Sequence, residues 1–351
     1  MRLLVLGGSG FVGRAVVDDA VSRGWDVTTF NRGLRVSSRP DGVEVLHGDR
    51  LDPSSLSVLH GDRLDPSSLS VLDGGREWDA VVDTWSGIPR AVRDSAAVLR
   101  DRVGAYAYVS SRSVYAPPVP PGADESWPAV QSSPDAEDGD YGQQKAGAEL
   151  AALAAFGDRA LIARAGLILG PYEDVGRLPW WLNRAARGGP MLAPGPADLP
   201  IQYIDARDLA SWLVDSVAAG TGGVFNAVSR PGHTTMGELL ASVVAVTGGN
   251  ATLRWVEPSV ILEAGVVPWN DLPVWIPPGH EFETLGLHTA DVSRALATGL
   301  RARPVEETVA DTWAWLGSIG GTAPQRADRP AVGLDPEVEA AILRAAGTPA
   351  S

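Results

Sequence analysis

Cysteine is missing from this chain of 351 residues. Its absence excludes disulfides, thiolate nucleophiles and thiolate-held metals, so redox chemistry here needs a bound cofactor. Histidine is scarce: His47, His60, His233, His280 and His288 show no ligand spacing such as HExxH, and His47 and His60 are copies within a repeat. No metal site is expected. Long apolar runs are also missing, and the opening MRLLVLGG is too short for a secretory or membrane-spanning segment, which makes the cytoplasm the expected compartment and no membrane the expected partner. Positive charge is in short supply. A formal net charge of -14, with no arginine-rich run carrying interleaved aromatics, opposes a phosphate backbone and argues against nucleic acid. Rarest of all the charged residues is lysine, present only as Lys145.

What is present is enough to build a large globular fold. With 44% hydrophobic residues the chain can bury one large core or two closely joined ones. Residues 2–6 form a continuous apolar run that reads as a buried strand; Gly7-Gly8-Ser9-Gly10-Phe11-Val12-Gly13 follows, then the helical RAVVDDAVSRG. Glycines at 7, 10 and 13 allow a tight turn, close approach of backbone N–H groups to a pyrophosphate, and tight helix packing, with the anion at the helix N-terminus near Phe11 and Val12. A second strand runs from Trp25 to Phe30 and ends at Asn31-Arg32, where an acidic residue would take the ribose diol of NAD. An amide and a guanidinium suit a 2′-phosphate instead, so NADP is expected, with NAD the alternative.

The stretch VLHGDRLDPSSLS at 45–57 recurs letter for letter at 58–70. Two copies do not make a solenoid. One copy supplies the third strand and its Gly-Asp turn, and the β-like 42–46 segment favours the first; Asp49 is then the adenine-side carboxylate, with Asp62 its rival. Further strands are expected over 78–84, 105–109, 160–169, 201–205 and 223–228, with a helix between the first two running through Arg102. The proline-rich acidic segment 116–140 reads as a long connection, either a lid or a loose excursion.

The chemistry is expected in Tyr141-Gly142-Gln143-Gln144-Lys145. The AGAELAALAAF that follows is a strong helix former, so Tyr141 and Lys145 stand one turn apart on the same face. An ammonium within a few ångströms stabilises a tyrosinate and brings a phenol, ordinarily with a pKa of about 10, toward acid/base work near neutrality. A serine among Ser110 to Ser113, at the carboxyl end of a strand, lies where open α/β sheets bind ligands and can orient a substrate oxygen. Trp255, Trp269 and Trp275 suit either a flat, sugar-like ligand or ordinary core packing. Residues 320–334 read as a polar linker, and Asp335-Pro336-Glu337 starts a last helix that docks back.

With these motifs in hand, the chain resembles the extended short-chain dehydrogenase/reductase family, also called the NAD-dependent epimerase/dehydratase family. The resemblance covers about residues 1–316 and rests on GGSGFVG (7–13), SSRSVYA (110–116), YGQQK (141–145), ARAGLILGP (163–171) and IQYIDARDLA (201–210). It implies an α/β fold: a Rossmann-type doubly wound parallel sheet with a smaller C-terminal substrate domain. The dinucleotide domain is expected over 1–170 with 201–230 returning to it, the substrate part over 171–200 and 231–320, and a linker and helix over 321–351. It also implies Tyr141 as acid/base, Lys145 as its partner and a ribose ligand, and Ser111, four before the tyrosine of VYA, as the aligned hydroxyl. A homodimer is a further implication. Where sugar-nucleotide dehydratases of the family carry an acidic pair after the catalytic hydroxyl residue, this chain has Arg112 and Ser113, which argues against a 4,6-dehydratase.

The expected activity is NADPH-dependent reduction of a carbonyl, with Tyr141 as general acid. The alternatives are a nucleotide-sugar epimerase with a retained cofactor, and a nonenzymatic dinucleotide sensor or RNA-associated protein.

Overall fold

The computed structural model describes residues 1–31, 41–47, 50, 77–326 and 330–347. Every strand of its main sheet is parallel. In chain order the first part runs β1 (Arg2–Leu6), α1 (Phe11–Ser22), β2 (Asp26–Asn31), β3 (Glu44–His47), β4 (Trp78–Asp83), α2 (Arg90–Leu99), β5 (Val103–Ser111), α3 (Tyr141–Phe156) and β6 (Ala160–Ala165). Next come β7 (Leu167–Leu169), α4 (Arg177–Ala186), β8 (Gly189–Pro194), β9 (Pro200–Ile201), β10 (Tyr203–Asp205), α5 (Ala206–Ala218) and β11 (Gly223–Ala227). The remainder is β12 (Thr234–Thr235), α6 (Met236–Val246), β13 (Ala251–Val256), α7 (Pro258–Glu263), α8 (Ser293–Ala297), α9 (Val305–Ser318) and α10 (Pro336–Ala346).

The seven-stranded sheet has the order β11-β6-β5-β4-β1-β2-β3. Both of its faces are covered, which is why its strands are buried along most of their length rather than on alternate residues. Leu3 and Val5 of β1 join the core under α1 and α5, while Leu4 and Leu6 join the core under α2 and α3. The sequence reverses direction between β1 and β4, and the crevice at the carboxyl ends of strands flanking such a switch point is where ligands bind. A third core, around Trp181, Tyr203 and Trp275, joins β7, α4, α6 and α9. The three short two-stranded sheets, β10-β7, β12-β9 and β13-β8, flank it.

The third strand comes from the first copy of the repeat. Val45 and Leu46 pair with Thr29 and Phe30 of β2. The same copy contributes Arg50, whose guanidinium makes two 2.7 Å bonds to the Asp83 carboxylate at the end of β4 and a third to the Ala91 carbonyl. Tyr106 donates its hydroxyl to the same carboxylate at 2.5 Å.

Several expectations are corrected. The helix over 90–102 ends at Leu99. The single strand over 160–169 is broken at Gly166 into β6 and β7, which belong to different sheets. A Cβ on Gly166 would come within 2.5 Å of Val228, so the chain turns out of the main sheet where only glycine fits. The 201–205 strand is likewise divided, with β9 pairing antiparallel to β12 and β10 pairing parallel to β7. Segment 116–140 has no helix or strand, yet it is tied down: Trp127 donates to Ala116, Val119 to Thr284, and the Glu125 carboxylate accepts from Asn226. The last helix docks as expected, through the buried pair of Arg184 and Glu339 at 2.6 Å. Among the described residues, no helix is long and apolar enough to cross a membrane.

Candidate active site

A cavity of about 450 Å³ opens at the switch point. Its walls come from the carboxyl ends of four strands: Gly10 to Gly13 after β1, Thr84 and Ser86 after β4, Ser110 to Ser113 at β5, and Ala165 at β6. Tyr141 and Lys145 of α3 face the same space.

The glycine turn is shaped by backbone crowding. Gly7 sits at φ +103 and accepts from the Gly10 N–H at 3.1 Å. A Cβ on Gly13 would lie 2.2 Å from the Gly7 carbonyl, which fixes glycine there. Gly10 is the N-cap of α1 and supplies no side-chain cap, so the first-turn N–H groups are left for an anion. A Cβ on Gly10 would meet no protein atom nearer than the Gly7 carbonyl at 3.5 Å, so what it would fill is cavity. The turn therefore fits a dinucleotide diphosphate. Gly7 shapes the turn without lining the cavity, and Asn31 ends β2 beyond the cavity walls, paired with His47 of β3. Arg32, Asp49 and Asp62 lie outside the described residues.

Helix α3 starts in a capping box: Asp140 accepts from the Gln143 N–H, and the Gln143 side chain accepts from the Asp140 N–H. That box sets Tyr141 as the first helical residue and places Lys145 one turn later. The Lys145 ammonium donates to the Trp85 carbonyl at 2.5 Å and the Val109 carbonyl at 2.6 Å, and lies 4.8 Å from the centre of the Tyr108 ring. Burial pushes the Tyr108 phenol well above its usual pKa, with Asp83 and Tyr141 adding to the effect, so this second phenol stays neutral beside the ammonium. One further turn along α3, Glu149 accepts from Ser110 at 2.5 Å and pairs with Arg164 of β6 at 2.8 Å, which locks the strand end that presents Ser111. The Ser111 hydroxyl bonds to the Ser113 hydroxyl and N–H, both at 3.1 Å. Gly142 lets the two elements touch: a Cβ there would come within 2.3 Å of the Ser113 carbonyl.

Ser111, Tyr141, Lys145 and the glycine turn thus share one cavity. Sequence reasoning missed much of the opposite wall. Asp174, Arg177, Phe282, Leu285 and Leu287 line it, and so does Arg326 from the segment read as a linker. Arg326 donates its N–H to the Asp174 carbonyl at 3.0 Å and its guanidinium to Ser86 at 3.2 Å. No periodicity marks a loop residue of this kind. The tryptophans divide: Trp269 lines the cavity beneath the Arg177 guanidinium, Trp275 is wholly buried, and Trp255 is exposed.

The family model for the NAD dependent epimerase/dehydratase family matches residues 3–227. The fold, with its cavity at the switch point, is that of an extended short-chain dehydrogenase/reductase, and the chain belongs to the NAD-dependent epimerase/dehydratase family of such enzymes. No curated protein matches it. Among solved structures, the Bordetella bronchiseptica enzyme WbmH in complex with NAD+ is similar over 91% of this chain and 99% of its own, at 17% identity and a TM-score of 0.66. The Thermus thermophilus UDP-glucose 4-epimerase in complex with NAD aligns over 90% and 99%, at 20% identity and 0.58. The Bacillus cereus UDP-glucuronic acid 4-epimerase in complex with NAD aligns over 91% and 99%, at 15% identity and 0.61.

Proposed function

We propose that this enzyme inverts a carbinol carbon of a nucleoside-diphosphate sugar, as an epimerase that retains its nicotinamide dinucleotide. The observation that carries the reading is that Ser111, Tyr141 and Lys145 meet on the cavity into which the bare N-terminus of α1 opens. Of the activities expected from the sequence, the epimerase fits the family and its structural relatives better than net carbonyl reduction.

In this reading Gly10, Phe11, Val12 and Gly13, on the turn that Gly7 shapes, hold the dinucleotide diphosphate, and its adenosine end runs toward Asn31 at the end of β2. When bound, the nicotinamide supplies a place for the substrate's hydride to leave to and return from. Tyr141 takes the proton of the reacting hydroxyl as the alcohol becomes a ketone, and gives it back as the alcohol of opposite hand forms. Ser111 hydrogen-bonds the same oxygen, and Lys145 provides the positive charge that steadies the phenolate. Residues 171–200 and 231–320 bind the substrate, and Arg177, with Arg326 from the segment that follows, meets its diphosphate. Leu167, Ile168, Phe282, Leu285 and Leu287 keep water from the ketone.

A second reading, reduction of a carbonyl by NADPH, rests on Asn31-Arg32 in the adenosine region, which suits a 2′-phosphate. One experiment separates the two. Purified protein should carry oxidised NAD or NADP and convert a nucleotide sugar to its epimer, followed by NMR, without net use of NADPH. Stoichiometric NADPH consumption with no epimer formed would replace the epimerase by a reductase.

A further inference from the structure

Four arginines are buried among the described residues: Arg50, Arg112, Arg164 and Arg184. Three have a carboxylate, since Arg50 pairs with Asp83, Arg164 with Glu149 and Arg184 with Glu339. Arg112 has none. It lines the cavity one residue beyond Ser111, is 1% exposed, and makes a single hydrogen bond, from Nη1 to the Leu287 carbonyl at 3.0 Å. Nε and Nη2 are buried without a partner.

The neighbours do not supply the missing charge. The Tyr115 ring stands 6.0 Å from the guanidinium, and its other cationic neighbour, Arg164, is already neutralised by Glu149. Burial holds the nearby His288 imidazole down to about 4, so it is neutral and offers no anion. Burial also lowers Arg112 itself to about 10, only partly offset by Tyr115. A buried cation without a counter-ion is costly, and this chain pairs its other buried guanidiniums. The unpartnered Nε–Nη2 edge is the planar pair of donors that grips both oxygens of one carboxylate, and with both atoms shielded from solvent it meets a ligand by the side chain turning toward the cavity that Arg112 borders.

We propose that Arg112 receives a carboxylate on the reacting sugar, so that the substrate is a nucleoside-diphosphate hexuronate or a related sugar acid. This rests on the nucleotide-sugar reading above. The position favours the reacting sugar over the diphosphate, because Arg112 adjoins Ser111, and in a hexuronate the carboxylate hangs from the carbon next to C4.

The test is calorimetric titration of the purified, cofactor-loaded protein with UDP, UDP-glucose and UDP-glucuronate. Wild type should bind UDP-glucuronate roughly ten- to hundredfold more tightly than UDP-glucose, the range expected of a charge-assisted bidentate contact. Arg112→Met should bring that ratio near one by weakening UDP-glucuronate alone, and Arg112→Lys should keep part of it. Absence of preference in wild type, or a preference that survives in Arg112→Met, overturns the inference while leaving the nucleotide-sugar reading intact. If UDP and both sugars fail to bind, that reading falls and the inference falls with it. Should Arg112→Met not fold, the wild-type ratio and Arg112→Lys decide.

Discussion

Gly142 shows how closely α3 is set against the loop after Ser111. An alanine in its place would favour the helix by about 0.5–1 kcal/mol on propensity alone. Its methyl would nevertheless press within 2.3 Å of the Ser113 carbonyl, which cannot swing away as a side chain tip could. We expect Gly142→Ala to push α3 off the Ser111 loop and to lower turnover by roughly ten- to hundredfold with little loss of thermal stability, because misplacement by an ångström costs about that much; equal turnover would show that the contact is soft. Tyr141→Phe should keep cofactor binding, measured by fluorescence titration, and lose at least about a hundredfold in turnover. That Tyr141 and Lys145 share a face was legible in sequence because helical spacing alone brings i and i+4 together; the strand end offered any of Ser110 to Ser113, and the resemblance to the family picked out Ser111. Gly142 was not legible. Its constraint comes from a carbonyl 29 positions earlier in the chain, which nothing local reveals.

Among the elements, the repeat gives the sharpest expectation. Since its copies are identical, deletion of either leaves the same sequence, with a β3 strand and an arginine at position 50 still in place. The chain shortened by thirteen residues should therefore fold, keep its Arg50–Asp83 pair, and melt within a few degrees of the full-length protein, since loop length alters closure entropy only slightly. A collapse in melting temperature, read by circular dichroism, would mean that both copies are built into the fold. β-propensity was enough to choose the first copy for β3. It could not find the break between β6 and β7, because ALIARAGLIL is apolar on both sides of Gly166 and the side chain that crowds Gly166 is Val228, far along the chain.

At the scale of the whole molecule, stability should carry a mark of Glu173. The residue is fully buried at the start of α4, where its carboxylate accepts from the Arg177 N–H at 2.7 Å and the Leu178 N–H at 3.2 Å. Burial, the largest influence, pushes its pKa from 4.5 up to about 7, against the pull of Arg177 and those two bonds. The folded protein then holds a proton that the unfolded chain has released, so stability falls as pH rises from about 4.5 through 7. Glu173→Gln has no proton to lose. Relative to wild type, urea denaturation should find the variant gaining on the order of 1–3 kcal/mol across that window. A pH-independent difference would place the carboxylate as an anion throughout.

The cavity begins with Gly10 and is completed by Arg326. Synthesis from the N-terminus therefore makes the glycine turn long before the wall that meets it from the far end. On the ribosome, the half-made polypeptide has the turn but an open flank, and the cavity can close only once the segment carrying Arg326 has emerged.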